Sequence, residues 1–402
     1  MHKILRLFIV IWLTQGTSYA QYEALKPLTI LISIDGFKPE YLNRGHSKTL
    51  LQLGEQGLLA KGLQSTFPSI TFPNHYSIVT GLHADHHGIV NNTMYDPQIP
   101  NQVFMLSSPE AITNPKWWTE AEPIWITLSK HNKTASTLFW PGTEVSIQGK
   151  QPMDWLPYEH SMTSIQRVDK LLSWLDRPAT QRADFATLYF SEVDTVGHGF
   201  GPNSNEVNGA VQRVDDAIHR LIKGLEQMNV LKNTSLVIVS DHGMAEVPNQ
   251  NQINGSQLTK QYPHLKWEWL GPLAGFQAPK EQRAEILKTL STEPRMKCWE
   301  KSALPQSFNF GTHRRIPDIV CLADIGWTIS ANINNKTIPG QHGYNPNEQD
   351  MHGLLIVNGP RIKPQAIGIA QSIDVYLLLC ELLSLPPHTN DASRALADLI
   401  SH

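Results

Sequence analysis

Three runs of β-branched and apolar residues lead into an aspartate. "LISIDGF" ends at Asp35, "LYFSEVDTVGHGFGP" reaches Asp194 with His198 four residues on, and "VIVSDHGM" ends at Asp241, followed at once by His242. In open α/β sheets, ligands bind beyond the carboxyl ends of the strands. Three carboxylates gathered there repel one another unless a cation joins them. Imidazoles beside two of the three suit Zn2+ or a similar borderline metal. A single strand-end aspartate is more often a cap or turn residue, so the set of three with its histidines carries the metal reading. The donors exceed the needs of one ion, and a two-metal site fits them better.

A nucleophile for such a site lies in "FPSITFPNHYSIVTGLHADHHGIVNN", residues 67–92. Thr71 precedes Phe72-Pro73, and "PNHYSIVTGL" reads as a helix with proline near its first turn. A hydroxyl there faces the positive end of a helix dipole. Beside a metal its pKa falls and it becomes an alkoxide nucleophile. Without the aspartates, Thr71 would read as a plain N-cap.

The elements that must position these groups are legible as alternating strands and helices. Residues 28–35, 134–140, 185–194, 235–241 and 353–359 read as buried parallel strands. "SIQRVDKLLSWL" and "NGAVQRVDDAIHRLIKGLEQM" carry apolar residues at three- and four-residue spacing, as amphipathic helices do. The expected fold is α/β, a mostly parallel central sheet with helices on both faces. Residues from about 245 to 340, rich in Pro, Trp, Gln and Asn, break the rhythm and read as an inserted subdomain within one domain spanning 21–402.

The 402 residues carry a formal charge of −3 without long basic or acidic runs, which excludes a nucleic-acid scaffold as partner. "MHKILRLFIVIWLTQGTSYA" has Lys3 and Arg6, an apolar stretch and small residues at Ser18 and Ala20, so residues 1–20 read as a secretory signal cleaved after Ala20. Its removal takes the charge to −5, since it holds two bases and no acid. The apolar run is well short of the ~20 residues that span a bilayer, so no stable membrane insertion is expected. Of three cysteines, Cys298 and Cys321 lie in one polar, irregular region and are the expected disulfide; Cys380 sits in an apolar helical pattern as a buried thiol. Sequons begin at Asn91, Asn132, Asn233, Asn254 and Asn335, and matter only in a eukaryotic secretory pathway. The compact, cysteine-poor chain is expected to be periplasmic or secreted.

Six ordered motifs carry a resemblance: "ISIDGFKPEYL", "TFPNHYSIVTGLHADHHGIVNN", "FWPGTEV", "YFSEVDTVGHGFGP", "VSDHGM" and "GQHGYNP". Together they resemble the nucleotide pyrophosphatase/phosphodiesterase family of the alkaline phosphatase superfamily, over roughly residues 27 to 385. The resemblance implies an alkaline-phosphatase-like fold and two Zn2+. Asp194, His198 and His342 would hold one ion, and Asp35, Thr71, Asp241 and His242 the other. Thr71 would form a phospho-threonine intermediate, hydrolysed by water, and Asn92 would donate to a non-bridging phosphate oxygen. Phe72 and Tyr158 match an aromatic pair that sandwiches a base, which implies a small-molecule nucleotide as substrate and a nucleoside 5'-monophosphate as product.

One departure is Gln341, where the family usually has aspartate before the histidine; the change should affect loop contacts rather than the metal count. His83, His86 and His87 form the most metal-like run in the chain, yet the family's ligands lie elsewhere, and His87 reads as a turn residue. His75 reads as support beneath the nucleophile. A choline or lysophospholipid phosphodiesterase and a phosphomonoesterase of the same superfamily are the alternative activities. Against a monoesterase, Lys38 is the one Lys or Arg adjacent to the ligand motifs. A metal-dependent nucleotide-binding protein without turnover is the remote alternative, and it would have no need of Thr71.

Overall fold

The computed structural model describes residues 26–333 and 336–401. The leader reading and the sequon residue Asn335 lie outside the described residues. Eight strands form the main sheet: β1 (Leu28–Ile34), β2 (Leu58–Gln64), β3 (Ala135–Leu138), β4 (Asp154–Leu156), β5 (Phe185–Phe190), β6 (Thr234–Val239), β7 (Leu355–Asn358) and β8 (Gln365–Gln371). Their order is β8-β2-β7-β6-β1-β5-β3-β4. All pairings are parallel except those of β7, which runs antiparallel to β6 and β2.

Side chains alternate across the pleat, so each strand serves two cores. Leu31, Val237 and Val239 face one cluster with Ile78 and Val79 of the helix Thr71–Thr80 and the apolar face of Val375–Leu383. Ile30, Ile32, Leu236 and Ile238 face the other, packed by the helices Lys48–Glu55, Ser164–Leu175 and Asn205–Gln227. Burial on both faces explains why the central strands read as unbroken apolar runs. Helices therefore cover both faces, as expected.

Three expectations need correction. Residues 353–359 were expected to be parallel, yet β7 is antiparallel. The chain passes His342 at the carboxyl ends of the parallel strands and re-enters the sheet from that end, so it must run backwards. The run 185–194 stops as a strand at Phe190, and Asp194 is the third residue of the helix Glu192–Phe200. Cys298 and Cys321 do form a disulfide, but in regular structure: they are register partners on neighbouring strands, Met296–Glu300 and Ile319–Ala323. Those strands belong to a four-stranded antiparallel sheet with Trp267–Trp269 and Leu273–Phe276. It has its own apolar cluster, including Phe276, Ile286 and Ile319. Cys380 is buried and unpaired. No helix among the described residues is long and apolar enough to cross a membrane.

Candidate active site

Four chain segments converge at the carboxyl ends of β1, β5 and β6. Asp35 follows β1 directly, and Gly36 lets β1 turn away tightly. Its φ is +67°, and a Cβ there would lie 3.0 Å from Asp194 Cα. Asp194 and His198 share one face of their helix at four-residue spacing, with His198 Nε2 3.4 Å from Asp194 Oδ1. Gly340 presses against that helix so closely that a Cβ would meet Gly197 O at 2.2 Å. This contact delivers His342 to the cleft.

All three histidines are oriented by backbone carbonyls of other residues. Nδ1 of His198 bonds Gly340 O at 2.7 Å, Nδ1 of His242 bonds Gly243 O at 2.9 Å, and Nδ1 of His342 bonds Ser69 O at 2.9 Å. A carbonyl can only accept, so each Nδ1 carries the proton and each Nε2 presents a lone pair. His242 Nε2 lies 3.0 Å from Asp241 Oδ2 and 3.4 Å from Asp35 Oδ1, lone pair facing carboxylate. Two facing acceptors demand a positive charge between them, a proton or a metal. Asp35 Oδ1, Asp194 Oδ1 and Asp241 Oδ2 are all buried without a hydrogen-bond donor. The donors fall into two groups, Asp194–His198–His342 and Asp35–Asp241–His242, each with its ligand atoms within 4.8 Å of one another. The groups adjoin, since the His242 and His342 rings stack with centroids 3.5 Å apart. This donor set fits two cations, and its oxygen and nitrogen ligands suit zinc.

The electrostatics record the same strain. Burial, with the Asp241 and Asp194 charges added, holds Asp35 well above the ordinary carboxylate range. Burial likewise pushes Asp194 up. For Asp241, burial opposes ionisation, but His242 and His75 outweigh it and the carboxyl falls well below its usual range. Burial, with His242 and His198 nearby, keeps His342 neutral far below the ordinary imidazole range.

Thr71 is the first residue of the helix Thr71–Thr80, and its Oγ1 lies 3.2 Å from His242 Nε2. The turn before it is fixed by Asn74, whose side chain bonds Thr66 N, Pro68 O and Ile70 O. His75 lies one turn below: its Nδ1 donates to Thr71 O at 2.8 Å, so its Nε2 accepts from Ser33 Oγ at 2.8 Å. Asn92 Oδ1 accepts from Phe72 N at 2.9 Å, which leaves its amide nitrogen to the cleft it lines.

The cleft is a pocket of about 300 Å³ that brings together Asp35, Thr71, Asn92, Asp194, His198 and His342. Its apolar end holds Phe72 and Tyr158 with Leu106, Ile112 and Phe139. Tyr158 is tied down by Ser191 Oγ at 3.0 Å and by its backbone N–H on Glu144 Oε1 at 3.1 Å. No Lys or Arg is among the described residues lining this pocket. Lys38 turns elsewhere and pairs with Asp350 at 2.6 Å. Gln341 bonds Thr328 Oγ1 at 3.2 Å, a contact to the inserted region rather than to the cleft.

Sequence reasoning missed Tyr189 and Glu144. Tyr189 OH donates to Asp35 Oδ2 at 2.5 Å, and nothing in a β-strand tyrosine announces that role. His83, His86 and His87 stand apart from both donor groups. His86 pairs with Asp391 at 2.7 Å, and His87 Nε2 bonds Ser77 Oγ at 3.0 Å inside the fold.

The family model described as type I phosphodiesterase / nucleotide pyrophosphatase matches residues 29–345. The chain belongs to this family. It is 32% identical over 398 residues to human bis(5'-adenosyl)-triphosphatase ENPP4, covering 97% of this chain and 85% of that protein. To an uncharacterised pyrophosphatase/phosphodiesterase of Schizosaccharomyces pombe it is 33% identical over 384 residues, covering 90% and 78%. A similar solved structure is murine ectonucleotide pyrophosphatase/phosphodiesterase 5, in an inactive threonine-to-alanine form with AMP. That match has a TM-score of 0.88 and 30% identity, over 93% of this chain and 100% of the other. The family is one of metal-dependent phosphodiester and pyrophosphate hydrolases, and the fold is alkaline-phosphatase-like.

Proposed function

We propose that the protein is a secreted or periplasmic two-zinc phosphodiesterase that hydrolyses nucleotides and nucleoside 5'-phosphate esters or anhydrides to nucleoside 5'-monophosphates. Asp194, His198 and His342 would hold one zinc; Asp35, Thr71, Asp241 and His242 would hold the other. The observation that carries this reading is the cleft itself. Three donorless carboxylate oxygens and three imidazole Nε2 lone pairs gather in two adjoining groups at the cleft that Thr71 also lines, with the Thr71 hydroxyl 3.2 Å from His242 Nε2.

When bound, the cations would lower the pKa of the Thr71 hydroxyl and offset charge on the phosphoryl oxygens. Thr71 Oγ1 attacks phosphorus in line and becomes esterified to the phosphoryl group. The bond to the leaving oxygen breaks on the opposite side, toward Asp194, His198 and His342. Water then cleaves the threonine ester and releases the nucleoside 5'-monophosphate. Asn92 donates its amide N–H to a non-bridging oxygen, and the Phe72 N–H on its Oδ1 fixes that orientation. Phe72 and Tyr158 hold the base at the apolar end of the pocket. The neighbour trapped with AMP after loss of a threonine supports both assignments.

The lack of Lys and Arg among the described lining residues favours a diester monoanion over a phosphomonoester dianion. The Cys298–Cys321 bridge supports an oxidising compartment. The test is release of nitrophenol from nitrophenyl thymidine 5'-phosphate by purified protein before chelation, after it, and with zinc restored. Chelator-sensitive, zinc-restored turnover supports the reading. Absence of turnover with zinc bound refutes it and turns attention to choline phosphodiesters.

A further inference from the structure

Arg167 is only 3% exposed and lies against Tyr158, one wall of the cleft. Among the described residues its hydrogen bonds run to neutral acceptors. Nε donates to Met162 O at 2.9 Å, one terminal nitrogen to Tyr189 O at 2.9 Å, and the other to Ser191 Oγ at 3.4 Å. Its charge faces aromatic rings instead. The guanidinium carbon lies 5.1 Å from the Phe139 centroid, 5.5 Å from that of Tyr158 and 5.9 Å from that of Tyr189. We infer that Arg167 is a positioning residue for substrate selection, one that presets Tyr158 as a wall of the nucleoside site. The inference rests on the phosphodiesterase reading above and deepens it.

A buried cation is costly, and such charges are as a rule paired with a carboxylate. Glu192, at the start of the helix Glu192–Phe200, does not serve: it pairs with Arg213 and accepts from Ser164 Oγ at 2.8 Å. An aliphatic side chain would fill the same space without the electrostatic cost. What it could not do is fix directions. The guanidinium is a planar fork of donors with two faces for stacking, so one side chain reaches three segments at once. Met162 O belongs to the loop that runs from Tyr158 to the helix Ser164–Leu175, Tyr189 O to the end of β5, and Ser191 Oγ to the turn that follows it. Arg167 itself stands in the opening turn of that helix, whose start is fixed by a capping box between Thr163 and Gln166.

Tyr158 is 40% exposed, yet its ring is held on several sides. Arg167 covers one face, and a cation there attracts the ring quadrupole. Phe139 meets the ring edge-on, with centroids 5.3 Å apart. Phe139 stands in the left-handed region at φ +63°, a conformation that costs an aromatic residue energy and is found where a site demands it. The Tyr158 hydroxyl bonds Ser191 Oγ at 3.0 Å, the same oxygen that Arg167 reaches. The opposite face is left to the cleft. A base stacks on it without the cost of first ordering the ring. Loss of Arg167 frees the ring to turn, so the penalty falls on binding of the nucleoside rather than on transfer of the phosphoryl group.

The test measures kcat and KM of the zinc-loaded protein on nitrophenyl thymidine 5'-phosphate and on methyl nitrophenyl phosphate, a diester without a base. Arg167→Met and Ser191→Ala are each made in the wild type and in Tyr158→Ala. Ser191→Ala carries the test if the buried Arg167 variant does not fold. The expected result is that Arg167→Met lowers the ratio of kcat/KM, nucleoside ester over base-free diester, by about tenfold and Ser191→Ala by about threefold, through KM rather than kcat. With Tyr158 already alanine, both effects should shrink to within about 1.5-fold, because Arg167 acts through that ring. A ratio within about 1.5-fold of wild type in the folded variants, or a fall of the same size without the Tyr158 ring, overturns the inference while the diesterase reading stands. A Tyr158→Ala ratio equal to wild type overturns the base assignment and the inference together. A wild type that turns over neither substrate overturns the whole reading.

Discussion

Tyr189→Phe isolates one buried hydroxyl. The Tyr189 ring packs edge-on against His75, with centroids 5.3 Å apart, and phenylalanine keeps that contact. What disappears is the 2.5 Å hydrogen bond from Tyr189 OH to Asp35 Oδ2. Asp35 is 1% exposed, so water cannot replace the donor without rearrangement. A hydrogen bond to a charged group contributes about 1.5–3 kcal/mol, and its removal here raises the proton affinity of a carboxyl already held high by burial. A metal must displace that proton. The affinity of the Asp35 group for zinc should therefore fall about 10- to 100-fold, the range seen when a ligand loses its orienting partner. The deficit should widen as pH falls, because the proton then competes better. The assay is a competition titration of metal-free protein with zinc against a chromogenic chelator, at two pH values. If Tyr189→Phe binds two zinc ions within about twofold of wild type at both, the claim that Asp35 needs this donor is wrong.

Further outcomes follow from the same geometry. Zinc should raise Tm more at pH 8 than at pH 5.5: Asp35 and Asp194 have raised pKa values in the metal-free fold, so zinc must release their protons, a cost that fades as pH rises; calorimetry with an equal shift at both would contradict this. Arg315 is 1% exposed and donates to buried Asp96 at 2.6 Å and to Gly88 O at 2.6 Å, and Arg314 also pairs with Asp96, so Arg315→Ala loses buried charge-assisted bonds without stranding the carboxylate and should cost about 1.5–3 kcal/mol in denaturant unfolding. Glu144→Ala removes the acceptor that holds the Tyr158 backbone, and KM for nucleoside diesters should rise about tenfold with little change in kcat. A fall in kcat alone would place Glu144 in the chemistry instead.

Much of the site was legible because its chemistry is local to short segments. A strand that ends in aspartate, and a second aspartate followed by histidine, announce their edge of the sheet before any pairing is known. The helix at Thr71 was equally plain from Phe72-Pro73 and the apolar run beyond. What stayed hidden depends on tertiary contact. Tyr189 sits in an ordinary strand, and only the pairing of β1 with β5 brings it to Asp35. Strand β7 looks like any buried run, and its reversed direction follows from the route of the chain through His342, which composition does not encode. The edge strand β8 is "QAIGIAQ", largely exposed, and short of the apolar density that marks its central neighbours. Asp194 was placed in the right locale but on the wrong element, because the strand "FATLYF" runs into its helix without a glycine or proline to mark the change.

The most direct test of the central claim is Thr71→Ala, assayed on nitrophenyl thymidine 5'-phosphate with the zinc content of the same sample measured. The account expects turnover to fall by roughly a thousandfold or more while AMP still binds and zinc is retained at both donor groups. Full diesterase rate with zinc bound would show that Thr71 is not the nucleophile.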